Sequence, residues 1–527
     1  MAQGHEEENM RKLPIGIQSF KKLIQNGFIY VDKTEYIHQL AQNDTPYFLS
    51  RPRRFGKSLL ISTLKAYWEG EKELFRGLKI TELESEDWKH YPVFHFDFNG
   101  QNYLEKGALE AILDMHLRRW EQEYHISASE LSLGERFQNL LREANLQTGL
   151  KSVVLVDEYD KSLLDVIDMP ELQDHNRAVF KGFFSILKSL DEYLQFVFIT
   201  GVTKFEKASI FSDLNQLRDI SLTEEYAGLC GITEEELDEY FELELEGLAE
   251  KQQLSLAECK EQLKKTYNGY RFHPQGPAVY NPFSLLNAFA DREFRSYWFS
   301  TGTPTFLVKE IRRTGFDLRQ FTDGTLFATE ATLSDYRADR EDLMPLLYQT
   351  GYLTIKGYDS KKRRYALGFP NDEVAYGMLE NLMPEFTPVV KRGTGVNVFN
   401  FDEYLERGNL EGIRNILTAL FASIPNTSGE TSFEHDFQSV IYLLFMLLGQ
   451  FVQCERHTWQ GRIDCVVEVE QYIYIFEFKR DGSAKEALAQ IEKMGYDKPY
   501  AADPRKLFKI GVNFDSSTRM LTDWATL

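Results

Sequence analysis

Four apolar runs in the first part of the chain set the tightest limit on how it can fold. They are YFL at Tyr47–Leu49, VFHFDFN from Val93, VVLVDEYD from Val153 and FVFITGV from Phe196, and stretches of helical character alternate with them. Short, uniformly apolar runs read as buried strands, and their alternation with helices is the rhythm of an α/β fold with a parallel sheet. The expectation covers residues 13–230. In open sheets of this kind ligands bind outside the carboxyl ends of the strands, so the residues that close each run are where chemistry is expected.

The first run leads into FLSRPRRFGKS, residues 48–58, which ends like a phosphate-binding loop. The pattern G-x-x-x-x-G-K-[ST] asks for glycine at position 51, where this chain has Arg51. Glycine would matter there if the loop needed a positive φ, which costs other residues roughly 1 kcal/mol or more. Pro52 pushes Arg51 toward an extended conformation, so this loop is expected to be built differently. Gly56 permits close backbone approach, Lys57 reaches the β and γ phosphates, Ser58 binds Mg²⁺, and LLISTLKAYWEG continues as a helix whose positive end faces the phosphates. The plain alternative is a basic surface turn ahead of a helix. VVLVDEYD favours the nucleotide: Asp157 stands at the tip of a buried strand to hold Mg²⁺ through water, and Glu158 follows to polarise an attacking water. The expected ATP-binding set is Arg53, Arg54, Phe55, Gly56, Lys57, Ser58, Leu59 and Asp157, with Mg²⁺ at Ser58 and Asp157. Thr200 or Thr203 is a γ-phosphate sensor or ordinary turn chemistry, and Arg218 is a candidate arginine finger.

A second constellation lies near the end, in GRIDCVVEVEQYIYIFEFKR. A turn centred on Glu470 and Gln471 puts Asp464 opposite Glu477, at ~5 Å between Cβ atoms. Period-two alternation sets Lys479 on the face of Glu477, while Cys465, Val467, Tyr474, Phe476 and Phe478 point the other way. Burying two carboxylates and an ammonium is costly unless they pair or bind metal. A divalent cation held by Asp464, Glu477 and the backbone carbonyl of Phe478, with Lys479 stabilising the phosphate, is one resolution; a structural Asp/Glu/Lys cluster is the other. Glu434, on a helix expected at Phe433–Leu448, is a further candidate metal ligand, with His435 beside it a packing residue, and Gln490 and Tyr496 follow the hairpin.

The remaining text is organisational. An acidic helix-rich region opens at Thr233 and Glu236 with capping-box spacing and runs over 231–385. Residues 386–432 carry the Pro, Gly and Ser of a linker, 433–527 form the last domain with a hairpin, a helix and one final strand, and 1–12 are a solvated tail. Cys230, Cys259, Cys454 and Cys465 are widely spaced and are expected to be reduced core residues. No apolar run approaches the ~20 residues needed to cross a bilayer, so no membrane partner and a cytoplasmic location are expected. A net charge of −21 repels nucleic acid, so such binding must rest on metal ions or local basic patches; Lys361–Arg364 (KKRR) and Lys391 with Arg392 are candidates, or solvated loops.

RPRRFGKS, VLVDEYD, ITGVTKF, YNGYRF, VYNPFSLLNAF, QTGYLT and GRIDCVV…IFEFKRDGSAKEALAQI together resemble the bacterial family in which an AAA-ATPase-like domain precedes a PD-(D/E)XK nuclease domain. The likeness spans nearly the whole chain, and in that family arginine takes the place of the first loop glycine. It implies an α/β fold: a P-loop NTPase sheet of the ASCE/AAA-like kind with helices on both faces, a helix-rich middle region and a C-terminal PD-(D/E)XK α/β nuclease domain. It implies ATP at Gly56, Lys57 and Ser58, Mg²⁺ and water positioning at Asp157 and Glu158, and nuclease chemistry at Asp464, Glu477 and Lys479. The expected function is an ATP-regulated, Mg²⁺-dependent endonuclease with DNA ahead of RNA as partner; homo-oligomer formation is left open. By analogy with the signal-transducing P-loop ATPases, the expectation extends to mobile-element or phage-defence biology. The competing expectation is a nucleotide-dependent switch or scaffold that binds nucleic acid or a partner without cutting.

Overall fold

The computed structural model describes residues 12–386, 399–422, 440, 442–444 and 451–527, apart from 44, 85–87, 128–130, 205–209, 212–216, 300–304, 322–325, 335–341, 459–460, 516 and 519. The described residues fall into two compact units, one drawn from Met1–Trp298 and Phe327–Glu373, the other from Phe299–Leu326 and Val374–Leu527.

The first unit is built on five strands, β1 (Tyr47–Ser50), β2 (Val93–Asp97), β3 (Ser152–Asp157), β4 (Leu194–Gly201) and β5 (Arg218–Asp219), in the order β2-β3-β4-β1-β5. Every pairing is parallel. The four expected runs are the four longer strands; β1 and β3 are buried along their whole length and β4 from Phe196 on, as strands covered on both faces are, while the edge strand β2 alternates buried and half-buried residues. Because all run one way, their carboxyl ends line up: Ser50 pairs with Gly201, and Asp97 with Asp157. β4 separates the strand that enters the G-K-S turn from the strand that ends in acids. The helices Lys57–Trp68, Ala108–Glu123, Leu133–Thr148 and Pro170–Phe184 flank the sheet. Phe96, on β2, is fully buried and meets Trp120, Phe137 and Phe183, one from each of the last three helices, at centroid distances of 4.9, 5.1 and 5.4 Å.

The helix-rich stretch begins where the capping box was expected: the Thr233 hydroxyl accepts from the Glu236 N–H at 3.2 Å, and the Glu236 carboxylate accepts from the Thr233 N–H at 2.9 Å. Its helices, Glu234–Tyr240, Glu242–Gln252, Leu256–Tyr267 and Pro282–Asp291, close around Leu237, Leu248, Leu263, Tyr267 and Leu285. Two small antiparallel sheets complete this unit. One pairs β6 (Tyr270–Arg271) with β7 (Ala278–Val279); the other joins β8 (Phe327–Ala328), β9 (Thr354–Asp359) and β10 (Arg364–Gly368) in the order β8-β10-β9.

The second unit carries β11 (Phe451–Thr458), β12 (Gly461–Glu468), β13 (Tyr472–Arg480), β14 (Lys506–Asp515) and β15 (Met520–Thr526) as consecutive neighbours. All pairings are antiparallel except β13 with β14, which are joined through the helix Ala484–Met494. Sequence reasoning gave β12, β13 and β14 but neither outer strand, since FVQCERHT and MLTDWAT mix polar residues into their length as edge strands do. Within the stretch expected to be a linker, Phe399–Glu406 and Leu410–Phe421 are helices. Ile413, Ile416, Leu417, Leu420 and Phe421 form a buried helical stripe, and the Tyr474 hydroxyl donates to Leu405 O at 2.5 Å, so burial overrides the connecting character of the flanking text. The tail at 1–11, Lys391 with Arg392, and Glu434 with His435 lie outside the described residues; of the expected helix Phe433–Leu448, Val440 and 442–444 are described and are helical.

Replacing Phe96 with Ala removes the ring on which three helices converge. The expected cost is about 3–5 kcal/mol, read as a lowered midpoint of the first unit's transition in chemical denaturation.

Candidate functional site

The turn after β1 is organised by the arginine that replaces glycine. Arg51 points inward and is 1% exposed. Its guanidinium donates to Ser50 O at 2.9 Å, Ser221 O at 2.8 Å and Tyr226 O at 3.1 Å, and lies 4.0 Å from the centre of the Phe272 ring. The positive φ values in this loop fall at Arg54 (70°) and Gly56 (86°), not at position 51, so the absent glycine costs no backbone strain there. Phe55 is buried against Tyr270 at 4.7 Å and Phe272 at 5.6 Å, and Arg54 lies over Phe283 at 4.8 Å. Gly351, at φ 92°, lies so close to Pro52 that a Cβ there would stand 2.7 Å from the proline Cβ. The helix-rich stretch and the segment after Gln349 therefore grip the loop directly. Sequence reading missed this grip, although the motifs that supply it, YNGYRF and QTGYLT, had been singled out.

Lys57 opens the helix behind the loop, and its buried ammonium donates to Arg51 O at 3.0 Å and Pro52 O at 3.1 Å. Burial pulls its pKa down, against the pull of Glu158, Asp157 and Asp160. Arg53, Arg54 and Gly56 are exposed, while Ser58 and Leu59 are half-buried. Asp157 is 2% exposed at the tip of β3 with Ser58 beside it, and its Oδ1 is buried with no hydrogen-bond partner among the described residues. Burial pushes its pKa up to about 6, with Ser58 and Lys57 opposing. A buried carboxylate oxygen without a donor, beside a serine hydroxyl, fits a divalent cation, so Ser58 and Asp157 could hold Mg²⁺. Glu158 follows at φ 52°, a left-handed conformation a glutamate adopts at a cost, and strain of this kind concentrates at functional turns.

The neighbouring candidates are otherwise engaged. The Thr200 hydroxyl donates to Leu49 O at 2.8 Å, and Thr203, fully buried, gives its hydroxyl and N–H to Asp160 at 2.8 and 2.6 Å. Both hydroxyls donate within the fold, the use that ordinary turn chemistry makes of them. Asp160, left without a role by the sequence, is the brace that fixes the exit of β4. Arg218 pairs with Glu225 at 3.1 Å on the two-residue strand β5.

In the second unit the hairpin register is the one the turn centre dictates: Cys465 faces Phe476, Val466 Ile475, Val467 Tyr474, and Glu468 Ile473. One further step brings Asp464 and Glu477 together, and the Asp464 carboxylate accepts from the Phe478 N–H at 2.9 Å. Glu477 is 1% exposed. Its Oε1 accepts from Lys479 Nζ at 3.0 Å, and the same ammonium donates to Gln490 Oε1 at 2.6 Å, which links the strand to the helix Ala484–Met494. Tyr496, which burial keeps protonated to higher pH, lies beside Gln490. Glu477 Oε2 is buried and has no hydrogen-bond partner among the described residues. Burial and the Asp464 charge push the Glu477 pKa up to about 7, with Lys479 opposing. The donor set fits a divalent cation, which would relieve both the orphaned oxygen and the carboxylate repulsion. Among the described residues no cluster reaches three metal-ligating side chains, so further coordination at this pair would come from a backbone carbonyl, water or residues outside them.

Two outcomes follow from this geometry. Arg51→Gly, which restores the general loop pattern, is expected to lower thermal stability by about 1–3 kcal/mol and to weaken ATP binding, because three carbonyls lose their donor; calorimetry with and without ATP measures both. At the carboxylate pair a cation must displace the proton that Glu477 holds below about pH 7. Mn²⁺ affinity should therefore rise roughly tenfold per pH unit below that value and level off above it, and Glu477→Gln should flatten the titration.

Comparison with known proteins agrees with this layout. A family model described as "Predicted AAA-ATPase" matches residues 14–211, and one described as the PD-(D/E)XK nuclease superfamily matches residues 432–524. A protein of Azotobacter chroococcum mcd 1, described as an uncharacterized protein in the vnfD 5' region, is 38% identical over 524 residues, 97% of each chain. Arg51 and Gly56-Lys57-Ser58 at the head of one sheet, with the Asp464–Glu477–Lys479 hairpin in another, thus belong to a member of the family in which a predicted AAA-ATPase domain precedes a PD-(D/E)XK nuclease-superfamily domain.

Proposed function

We propose that the protein is an ATP-regulated, Mg²⁺-dependent DNA endonuclease. The observation that carries the reading is Glu477 Oε2, buried opposite Asp464 and two residues from Lys479, with no hydrogen-bond partner among the described residues. In a purely structural cluster, Lys479 would be expected to satisfy the carboxylate; here its ammonium is shared with Gln490 and one oxygen is left over. Asp464, Glu477 and the Phe478 carbonyl would hold the cation, and Lys479, oriented by Gln490, would face the scissile phosphate. Bound Mg²⁺ supplies charge neutralisation on the phosphate and a more acidic water.

At the other site Lys57, the loop amides and the end of the helix Lys57–Trp68 would take the phosphates, and Glu158 would orient the attacking water. Lys57 would have to exchange the carbonyls of Arg51 and Pro52 for phosphate oxygens. That exchange acts on a loop already packed against Tyr270, Phe272, Phe283 and Gly351, which gives ATP occupancy a route into the helix-rich stretch.

The test is a cleavage assay with Mg²⁺ or Mn²⁺, with and without ATP, on single-stranded, duplex and branched DNA. Lys57→Ala is expected to abolish ATP binding, Glu477→Ala to keep ATP binding and remove cleavage, and Gln490→Ala to slow cleavage by roughly 10–100-fold. Equal nicking by wild type and Glu477→Ala refutes the nuclease assignment. Metal-dependent protection of DNA without cutting supports a nucleotide-dependent switch instead.

A further inference from the structure

We propose that the turn joining β9 to β10 is a docking surface for the phosphate backbone of nucleic acid. The choice of partner rests on the nuclease reading; the place rests on the turn itself. Asp359 Oδ1 accepts from the N–H groups of Lys361 and Lys362, both at 3.1 Å, and Arg363 adopts a left-handed φ of 49°. This fixes the backbone and leaves Lys361, Lys362 and Arg363 exposed. Among the described residues none of these three side chains makes an ion pair. The next cation is used differently: Arg364 lies 3.7 Å from the centre of the Phe327 ring and 3.8 Å from Asp359, anchoring the base of the hairpin to β8. The tip therefore presents three positive charges that form no ion pair among the described residues, on a chain whose net charge is −21.

Beside the cations stands Tyr358, 46% exposed and packed at 4.8 Å on Tyr365 of the paired strand. Clustered cations next to an exposed, braced aromatic face match a polyanion that also carries stackable rings. The field of the whole molecule opposes such a partner, so attraction must come from charges within a Debye length of it, about 10 Å at 0.1 M salt. Three consecutive exposed cations on one hydrogen-bonded turn meet that condition better than cations scattered over an acidic surface.

The full-length chain and its triple variant K361Q/K362Q/R363Q are compared by fluorescence anisotropy with labelled single-stranded and duplex DNA in EDTA, over a salt series. Three lost phosphate contacts are expected to lower the slope of log K against log salt by roughly 2–3 and to weaken binding about tenfold or more at 0.1 M salt. Unchanged ATP binding and an unchanged thermal midpoint show that the variant is folded; Lys362→Glu alone, which leaves the Arg363 turn intact, should shift affinity in the same direction. An unchanged slope and affinity, no binding of DNA by the wild type, or binding only to phosphatidylglycerol vesicles each overturn the proposal. The two readings fail separately. A reduced slope without cleavage by the wild type removes the nuclease and keeps the docking surface, whereas cleavage with an unchanged slope does the reverse.

Discussion

A carboxylate taken out of water must be given a donor, a cation or a proton, and both candidate sites are built around one that has been only half satisfied. Among the described residues Asp157 Oδ1 has no hydrogen-bond partner, and Glu477 has Lys479 on Oε1 but none on Oε2. In each case burial drives the pKa upward, to about 6 and about 7. Each group sits on a strand whose apolar neighbours hold it away from solvent, so a bound cation would lower a cost that side-chain escape cannot. That shared condition makes two unrelated sheets look like parts of one phosphate-handling protein.

The loop after β1 shows how a departure from a general pattern is absorbed. An arginine fills the place of a glycine because its side chain, not its backbone, is what the site uses. It ties the end of β1 to the carbonyls of Ser221 and Tyr226 and stacks on Phe272. Strain moves instead to Arg54, at φ 70°, which lies over Phe283 at the start of the helix Pro282–Asp291. The loop is consequently not free-standing but one wall of a junction packed against Tyr270, Phe272 and Phe283.

Much of this was legible in the sequence where local chemistry sets the outcome. The parallel sheet followed from continuous apolar runs, and the β12–β13 register followed from a turn centre and period-two alternation, which together put Asp464, Glu477 and Lys479 on one face. What was not legible depends on partners distant in the chain. Nothing near Arg51 announces Phe272, nothing near Thr203 announces Asp160, and the stripe of Leu410–Phe421 was hidden by the Pro- and Gly-rich text around it. The outer strands β11 and β15 escaped for a different reason: edge strands tolerate polar residues, so their alternation is weak.

The central claim is that the opposed acids of the C-terminal hairpin clasp a divalent cation. A crystal of the full chain soaked in manganese, measured at the metal's absorption edge, tests it most directly. The account predicts one anomalous peak roughly 2.0–2.3 Å from a carboxylate oxygen of both Asp464 and Glu477. Ordered side chains at both positions with no peak between them, while a second peak marks Ser58 and Asp157, would contradict it.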